Sequence, residues 1–233
     1  MPKKSKVLYH STVGCYPPGD GLANVIHSDG LASFSHPEYK GKLLITDKDF
    51  PKDNKQFDIV VSNPPYSVSA FKSAASSIYN NDDFEIYDKL TDQSSEIECL
   101  FIERTKQLLK DGRIAGIILP SSILSNTGIY TKAREIILQY FDIVAIAEFG
   151  SNTFMATGTN TVTLFLRRRH NYDSINIRKS VEKAVSDAKD VTIKSIEKPF
   201  TKYVAHVWEG ISFADYATLL KKQPNEAIEN HEI

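Results

Sequence analysis

Phe57-Asp58-Ile59-Val60-Val61-Ser62-Asn63-Pro64-Pro65-Tyr66 is the stretch whose reading decides the fold. Phe57 to Ser62 is a short β-branched apolar run, the pattern of a buried strand. It runs without a spacer into Asn63-Pro64-Pro65-Tyr66. Two prolines fix φ and remove N–H donors, so the chain leaving the strand is rigid. The Asn63 amide oxygen and the Pro64 carbonyl then stand as paired acceptors. Such a pair suits a planar amino group with two hydrogens, and Tyr66 adds an aromatic face on which a planar substrate can stack. A proline turn that simply ends a strand is the plainer alternative.

Outward from this stretch, strand and helix patterns alternate. Leu43-Leu44-Ile45-Thr46 and Arg113-Ile114-Ala115-Gly116-Ile117-Ile118-Leu119 are strand candidates, as are Ile143 to Phe149 and Thr161 to Leu166. Ser95 with Glu98 three residues later has the form of a capping box. Ile97, Leu100, Phe101, Leu108 and Leu109 share a helical face, and Gly112 sits where a C-terminal cap belongs. Tyr130, Ala133, Ile136, Ile137 and Tyr140 repeat the helical spacing. Apolar strands between amphipathic helices predict an α/β fold with a mostly parallel sheet covered on both faces. The last two strands are joined by eleven residues, too few for a helical crossover, so they are expected to pair antiparallel.

The polar stretch around residues 80–94 reads as a surface insertion. Arg167-Arg168-Arg169-His170 reads as a solvated strand end. From residue 171 the composition turns Lys/Glu-rich with helical spacing at Val181, Val185 and Ala188 and again at Phe213, Tyr216, Leu219 and Leu220. The expected division is therefore residues 1–170 as a catalytic domain and 171–233 as a helical extension with a frayed polar tail from Pro224.

With 233 residues, 41% hydrophobic and 24% charged, the chain is long enough to bury a core. A formal charge of −1 argues against a self-sufficient basic nucleic-acid binder, so any DNA contact is local or shared with a partner. No apolar run reaches membrane-spanning length and Met1 to Lys6 lacks a signal-peptide core, so no membrane association and a cytoplasmic location are expected. Cys15 and Cys99 are far apart and have no His or Cys at ligand spacing, which predicts free thiols and no metal.

The strand followed by Asn63 to Tyr66 resembles the catalytic motif of N6-adenine DNA methyltransferases, and the chain resembles the modification subunits of type I and related restriction-modification systems. The resemblance covers roughly residues 20–168. It includes Leu22-Ala23-Asn24-Val25-Ile26-His27, similar to an Asn-rich helix of those subunits, and Leu109 to Ser122, similar to the helix, glycine turn and strand that follow the catalytic loop. It implies a Rossmann-like sheet and methyl transfer from S-adenosylmethionine to a flipped adenine, with no metal. Asn63, Pro64, Pro65 and Tyr66 are then catalytic, Phe154 packs the base, and Asp47 meets the cofactor's adenine amino group. The implied partners are double-stranded DNA and a specificity subunit or domain.

The family's glycine loop for the cofactor, of the Asp/Asn-Pro-x-x-Gly-x-Gly kind, does not occur in this sequence, and Gly14 to Gly21 does not have its spacing. The resemblance therefore implies the C-terminal part of a methyltransferase domain, with an upstream half outside this chain and little activity alone. Two other readings stay open. The same motif occurs in enzymes that methylate protein glutamine or RNA amino groups, and a chain without the cofactor loop is also consistent with an inactive remnant or partner module.

Overall fold

In the computed structural model, residues 7–9, 25–39, 43, 48–69, 71–72, 82–150, 153 and 159–231 are described. The chain divides into two compact units, Met1–Asp173 and Ser174–Ile233.

The first unit is built on a four-stranded sheet in the order β3-β4-β6-β5, where β3 is Phe57–Ser62, β4 Leu109–Pro120, β5 Phe141–Phe149 and β6 Thr161–Arg168. β3 and β4 are parallel, and β6 runs antiparallel to both β4 and β5. Three strands thus share one direction and the last opposes them, as the short β5–β6 connection requires. The fold is α/β with a mostly parallel sheet. A separate parallel pair joins β1 (Val7–Tyr9) to β2 (Val25–His27). Val25 to His27 is therefore strand rather than the end of a helix. Leu44 to Thr46 lie outside the described residues.

α1 (Glu98–Leu108) and α3 (Ile129–Tyr140) cover the sheet, with a short α2 (Ser122–Ser125) between them in the chain. α3 buries Tyr130, Ala133, Ile136 and Ile137, the face that its spacing dictates. α1 departs from the amphipathic pattern because it is buried almost all round, and its polar residues have partners. Glu103 accepts the N–H groups of Glu85 and Ile86 at 2.7 and 3.0 Å. Arg104 donates to the carbonyls of Leu31 and Ala32 and lies over the rings of Phe34 and Phe84. Such pairing is what lets a helix lose its solvated face without stranding charge.

Several sequence expectations are corrected here. Ser95 and Glu98 form no capping box: Ile97 is the residue before the helix and makes no side-chain cap bond. Gly112 does not cap α1, which ends at Leu108. It stands at φ 74° inside a bulge of β4, where the register with β3 jumps from Phe57↔Leu109 to Ile59↔Ile114. The polar stretch near residues 80–94 is not confined to the surface, because Phe84, Ile86, Tyr87 and Leu90 are buried in the main core. Its hydrophobes are too few for a periodic pattern, yet each one inserts.

Arg168 is not a solvated strand end either. It is wholly buried and shares Asp53 with Lys106, at 3.1 and 2.7 Å respectively, and Asn171 donates to the same carboxylate at 2.8 Å. Finally, among the described residues the sheet is covered on one face only. On the other, Ile59 and Val61 are 70% and 82% exposed, and Phe165, across from Gly116 beside Val61, is 39% exposed. Alternating residues of a strand point to opposite faces, so an apolar run with a single covered face leaves half its side chains in water.

The second unit packs α4 (Ile177–Asp187), α5 (Pro199–Val207), α6 (Phe213–Leu220) and α7 (Glu226–Glu229) around Ala184, Val204, Ile211, Phe213 and Ile228, with a two-residue hairpin of β7 (Thr192–Ile193) and β8 (Ile196–Glu197). α6 begins with a complete capping box between Ser212 and Asp215. Within the polar tail, Asn225 caps α7 and Ile228 is buried.

Candidate active site

β3 ends at Ser62, so Asn63 to Tyr66 leave the sheet at the carboxyl end of a parallel strand, the side on which ligands of α/β sheets bind. Asn63 is exposed, Pro64 is buried and Tyr66 is half-buried. The burial of Pro64 anchors the loop while Asn63 is left open to solvent.

The Tyr66 hydroxyl lies 2.7 Å from Asn63 Oδ1 and 3.2 Å from the Ile118 carbonyl oxygen of β4, with its single hydrogen available to either acceptor. This contact orients the Asn63 amide. A carbonyl oxygen has two lone pairs, so Oδ1 keeps one for a substrate hydrogen. Burial, reinforced by the Glu98 carboxylate, pushes the Tyr66 pKa up to about 12, which keeps the hydroxyl a donor at neutral pH.

Behind the loop stands Glu98, fully buried at the start of α1. Its Oε1 accepts the Tyr130 hydroxyl at 2.8 Å and its Oε2 faces the Ser67 N–H at 3.4 Å. Burial pushes the Glu98 carboxyl above the usual carboxylate range and the Tyr130 phenol well above its own. Neither residue stood out in the sequence, where Glu98 looked like part of a helix cap. The only available signal was a glutamate among apolar residues of a buried helix.

One strand further along the sheet, an open cleft of about 590 Å³ is lined by Ser121, Glu148, Phe149, Gly150, Asn160, Thr161 and Val162. Its floor is fixed by the Ser121 N–H, which donates to the Asn160 carbonyl at 2.9 Å. The β5–β6 connection therefore leaves and re-enters the sheet at the same carboxyl edge as the proline loop. Phe154, in that connection, and Asp47 lie outside the described residues, as does Cys15. Cys99 is a free, buried thiol. Among the described residues no group of three or more His, Cys, Asp or Glu is arranged to hold a metal, and no helix is long and apolar enough to cross a membrane.

The sequence matches the model of the N-6 DNA Methylase family over residues 23–231. The chain belongs to the N-6 DNA methylase family. Among curated relatives it is 26% identical over 157 residues to the type II restriction enzyme and methyltransferase RM.Eco57I of Escherichia coli, an alignment covering 66% of this chain and 15% of that protein. Solved structures that match part of the chain include a type I restriction-modification methyltransferase subunit from Streptococcus thermophilus, at 20% identity and TM-score 0.44, covering 73% of this chain and 38% of that one. Another is the M protein of the type I restriction enzyme EcoKI, at 18% identity and TM-score 0.43, covering 66% and 26%. The chain thus spans well under half the length of these relatives. The family's methyl donor is S-adenosylmethionine. A glycine loop of the Asp/Asn-Pro-x-x-Gly-x-Gly kind does not occur in the 233 residues. What the described residues offer chemically is an exposed amide oxygen, oriented by the Tyr66 phenol, at the carboxyl end of β3.

Proposed function

We propose that this chain carries the amino-binding, catalytic part of an adenine-N6 DNA methyltransferase of a restriction-modification system, working in the cytoplasm with the remaining parts of the enzyme. The observation that carries the reading is the exposed Asn63 acceptor at the carboxyl end of β3, oriented by Tyr66, in a chain of the N-6 DNA methylase family.

In this reading the target adenine is turned out of the duplex, because its amino group cannot be reached inside the stack. Asn63 Oδ1 and the Pro64 carbonyl accept the two amino hydrogens, Tyr66 and Phe154 hold the ring between them, and Asp47 serves the cofactor. Accepting both hydrogens draws the nitrogen toward tetrahedral geometry and frees its lone pair for attack. When bound, S-adenosylmethionine supplies an electrophilic methyl group. The partners are double-stranded DNA and a specificity subunit or domain, with the rest of the cofactor site supplied from outside these 233 residues.

The test combines this chain with the remaining segments of a restriction-modification methyltransferase, adds radiolabelled S-adenosylmethionine and duplex DNA, and separates the nucleosides after digestion. Label is expected in N6-methyladenine and is expected to vanish with Asn63→Ala. Label on a glutamine-containing peptide or an RNA base, with none on DNA, would overturn the assignment. The isolated chain is expected to bind S-adenosylmethionine weakly or not at all by calorimetric titration.

A further inference from the structure

Glu98 touches the proline loop but has no part in the chemistry just proposed. Its carboxylate is wholly buried, its donors are its own backbone N–H, the Tyr130 hydroxyl and the Ser67 N–H, and among the described residues it pairs with no Lys, Arg or His. A carboxylate withdrawn from water without a cation is costly, and a glutamine of the same shape would fill the space without that cost. Ser67 follows Tyr66 directly and stands at φ 53°, a left-handed conformation that serine rarely adopts and that the surroundings must hold. Glu98 is also the first residue of α1, where a carboxylate meets the unpaired N–H groups of its own helix. Helix capping alone does not account for its reaching across to Ser67 or for its brace from α3.

We propose that Glu98 is a positioning residue: braced by Tyr130, its carboxylate holds the Ser67 N–H, fixes the left-handed residue behind Tyr66, and so sets the Tyr66 hydroxyl on Asn63. The proposal rests on the reading of this loop as the amino-binding element of a methyltransferase. The brace joins three elements, α1, α3 and the loop after β3, at one buried carboxylate. The long 3.4 Å contact to Ser67 makes it the weaker half and the Tyr130 contact the stronger.

The test uses Glu98→Leu, Glu98→Gln and Tyr130→Phe in the full 233-residue chain, with amide hydrogen exchange followed over Asn63–Ser69 and over α1. Glu98→Leu is expected to speed exchange at Ser67 by about tenfold, the value for loss of one modest hydrogen bond, while leaving the interior of α1 unchanged. Glu98→Gln, which retains an acceptor, restores most of the protection, and Tyr130→Phe lies between. If Glu98→Leu folds poorly, Tyr130→Phe deletes a single hydroxyl and carries the same comparison. In the reconstituted transfer reaction, Glu98→Leu lowers kcat by about tenfold and leaves the KM for DNA unchanged.

Loop exchange within about twofold of wild type in both Glu98→Leu and Tyr130→Phe overturns the proposal, as does faster exchange confined to α1, which would mark a helix cap. An unchanged kcat in Glu98→Leu overturns it too, while leaving the adenine reading intact. The expected change in loop exchange, together with methyl label on something other than adenine, supports the brace and removes that reading.

Discussion

Replacing Asp53 with alanine removes the carboxylate on which two buried cations converge. Asp53 Oδ1 accepts from Lys106 Nζ at 2.7 Å, and Oδ2 accepts from Arg168 and Asn171 at 3.1 and 2.8 Å. Both Asp53 and Arg168 have fully buried side chains, and that of Lys106 is 7% exposed. Breaking a buried pair by removing one partner costs about 3–5 kcal/mol, because the charge left behind has neither water nor a counterion. Arg168 keeps carbonyl acceptors on Lys106, Tyr140 and Arg169, and the side-chain oxygen of Asn171. Lys106 keeps the face of Tyr140, at 4.6 Å, and an attraction to the Glu103 carboxylate without a hydrogen bond to it.

The expected loss is therefore about 3–4 kcal/mol, toward the low end of that range. At roughly 2–4 °C per kcal/mol for a unit of this size, Tm should fall by about 6–16 °C. Urea and thermal unfolding followed by circular dichroism, with hydrogen exchange over β3 and β4, measure the effect. Removing all three charges together, as Asp53→Leu with Lys106→Met and Arg168→Leu, should recover most of the loss, since no buried ion then lacks a partner. A loss below about 1 kcal/mol for Asp53→Ala, the range of a surface pair, would refute the reasoning.

Four further outcomes are expected. In the reconstituted enzyme Asn63→Ala should cost about tenfold to a hundredfold or more in single-turnover methylation and leave DNA affinity largely intact. Phe154→Ala should instead cost ~1–3 kcal/mol of base stacking, read from 2-aminopurine fluorescence at the target; full flipping and full rate in Phe154→Ala would remove its role at the base. Ile59→Lys with Val61→Lys, on the face of the sheet that is uncovered among the described residues, should leave Tm unchanged in thermal unfolding, whereas a clear loss of Tm would show that this face is covered in solution. Burial raises the Glu98 pKa in the fold, so its contribution to stability is complete below roughly pH 4.3 and is lost as pH rises through the raised value. Glu98→Gln should therefore match wild type in urea stability near pH 4 and exceed it at pH 7, and a parallel pH dependence in both proteins would contradict the burial of an ionised group.

Much of the fold was legible because it depends on local pattern. The β-branched run at Phe57 to Ser62, the i, i+3, i+4 spacing of Tyr130 to Tyr140 and the short connection before Thr161 each constrain a strand, a helix and a pairing direction through neighbours close in the chain. The errors fell where distant residues decide. Gly112 has a glycine's freedom in either role, and only the pairing of β4 with β3 assigned it to a bulge. Phe84, Ile86 and Tyr87 sit in a polar context and were given to the surface, yet their burial is set by α1 and the sheet.

The sequence by itself determined that a strand runs into a rigid proline loop bearing an amide, a carbonyl and a phenol, because those groups and their order are covalent. It likewise determined the α/β class, since hydrophobic period is a property of neighbours along the chain. Only the tertiary structure decided that Tyr66 turns its hydroxyl onto Asn63, that Glu98 and Tyr130 stand buried behind Ser67, and that Arg168 reaches Asp53 across the unit. Each of those contacts joins residues whose side chains are polar and whose ordinary place is water. The burial of Glu98, Arg168 and Asp53 becomes favourable only when a partner from another element arrives with them, and that pairing is written in no single stretch of the sequence.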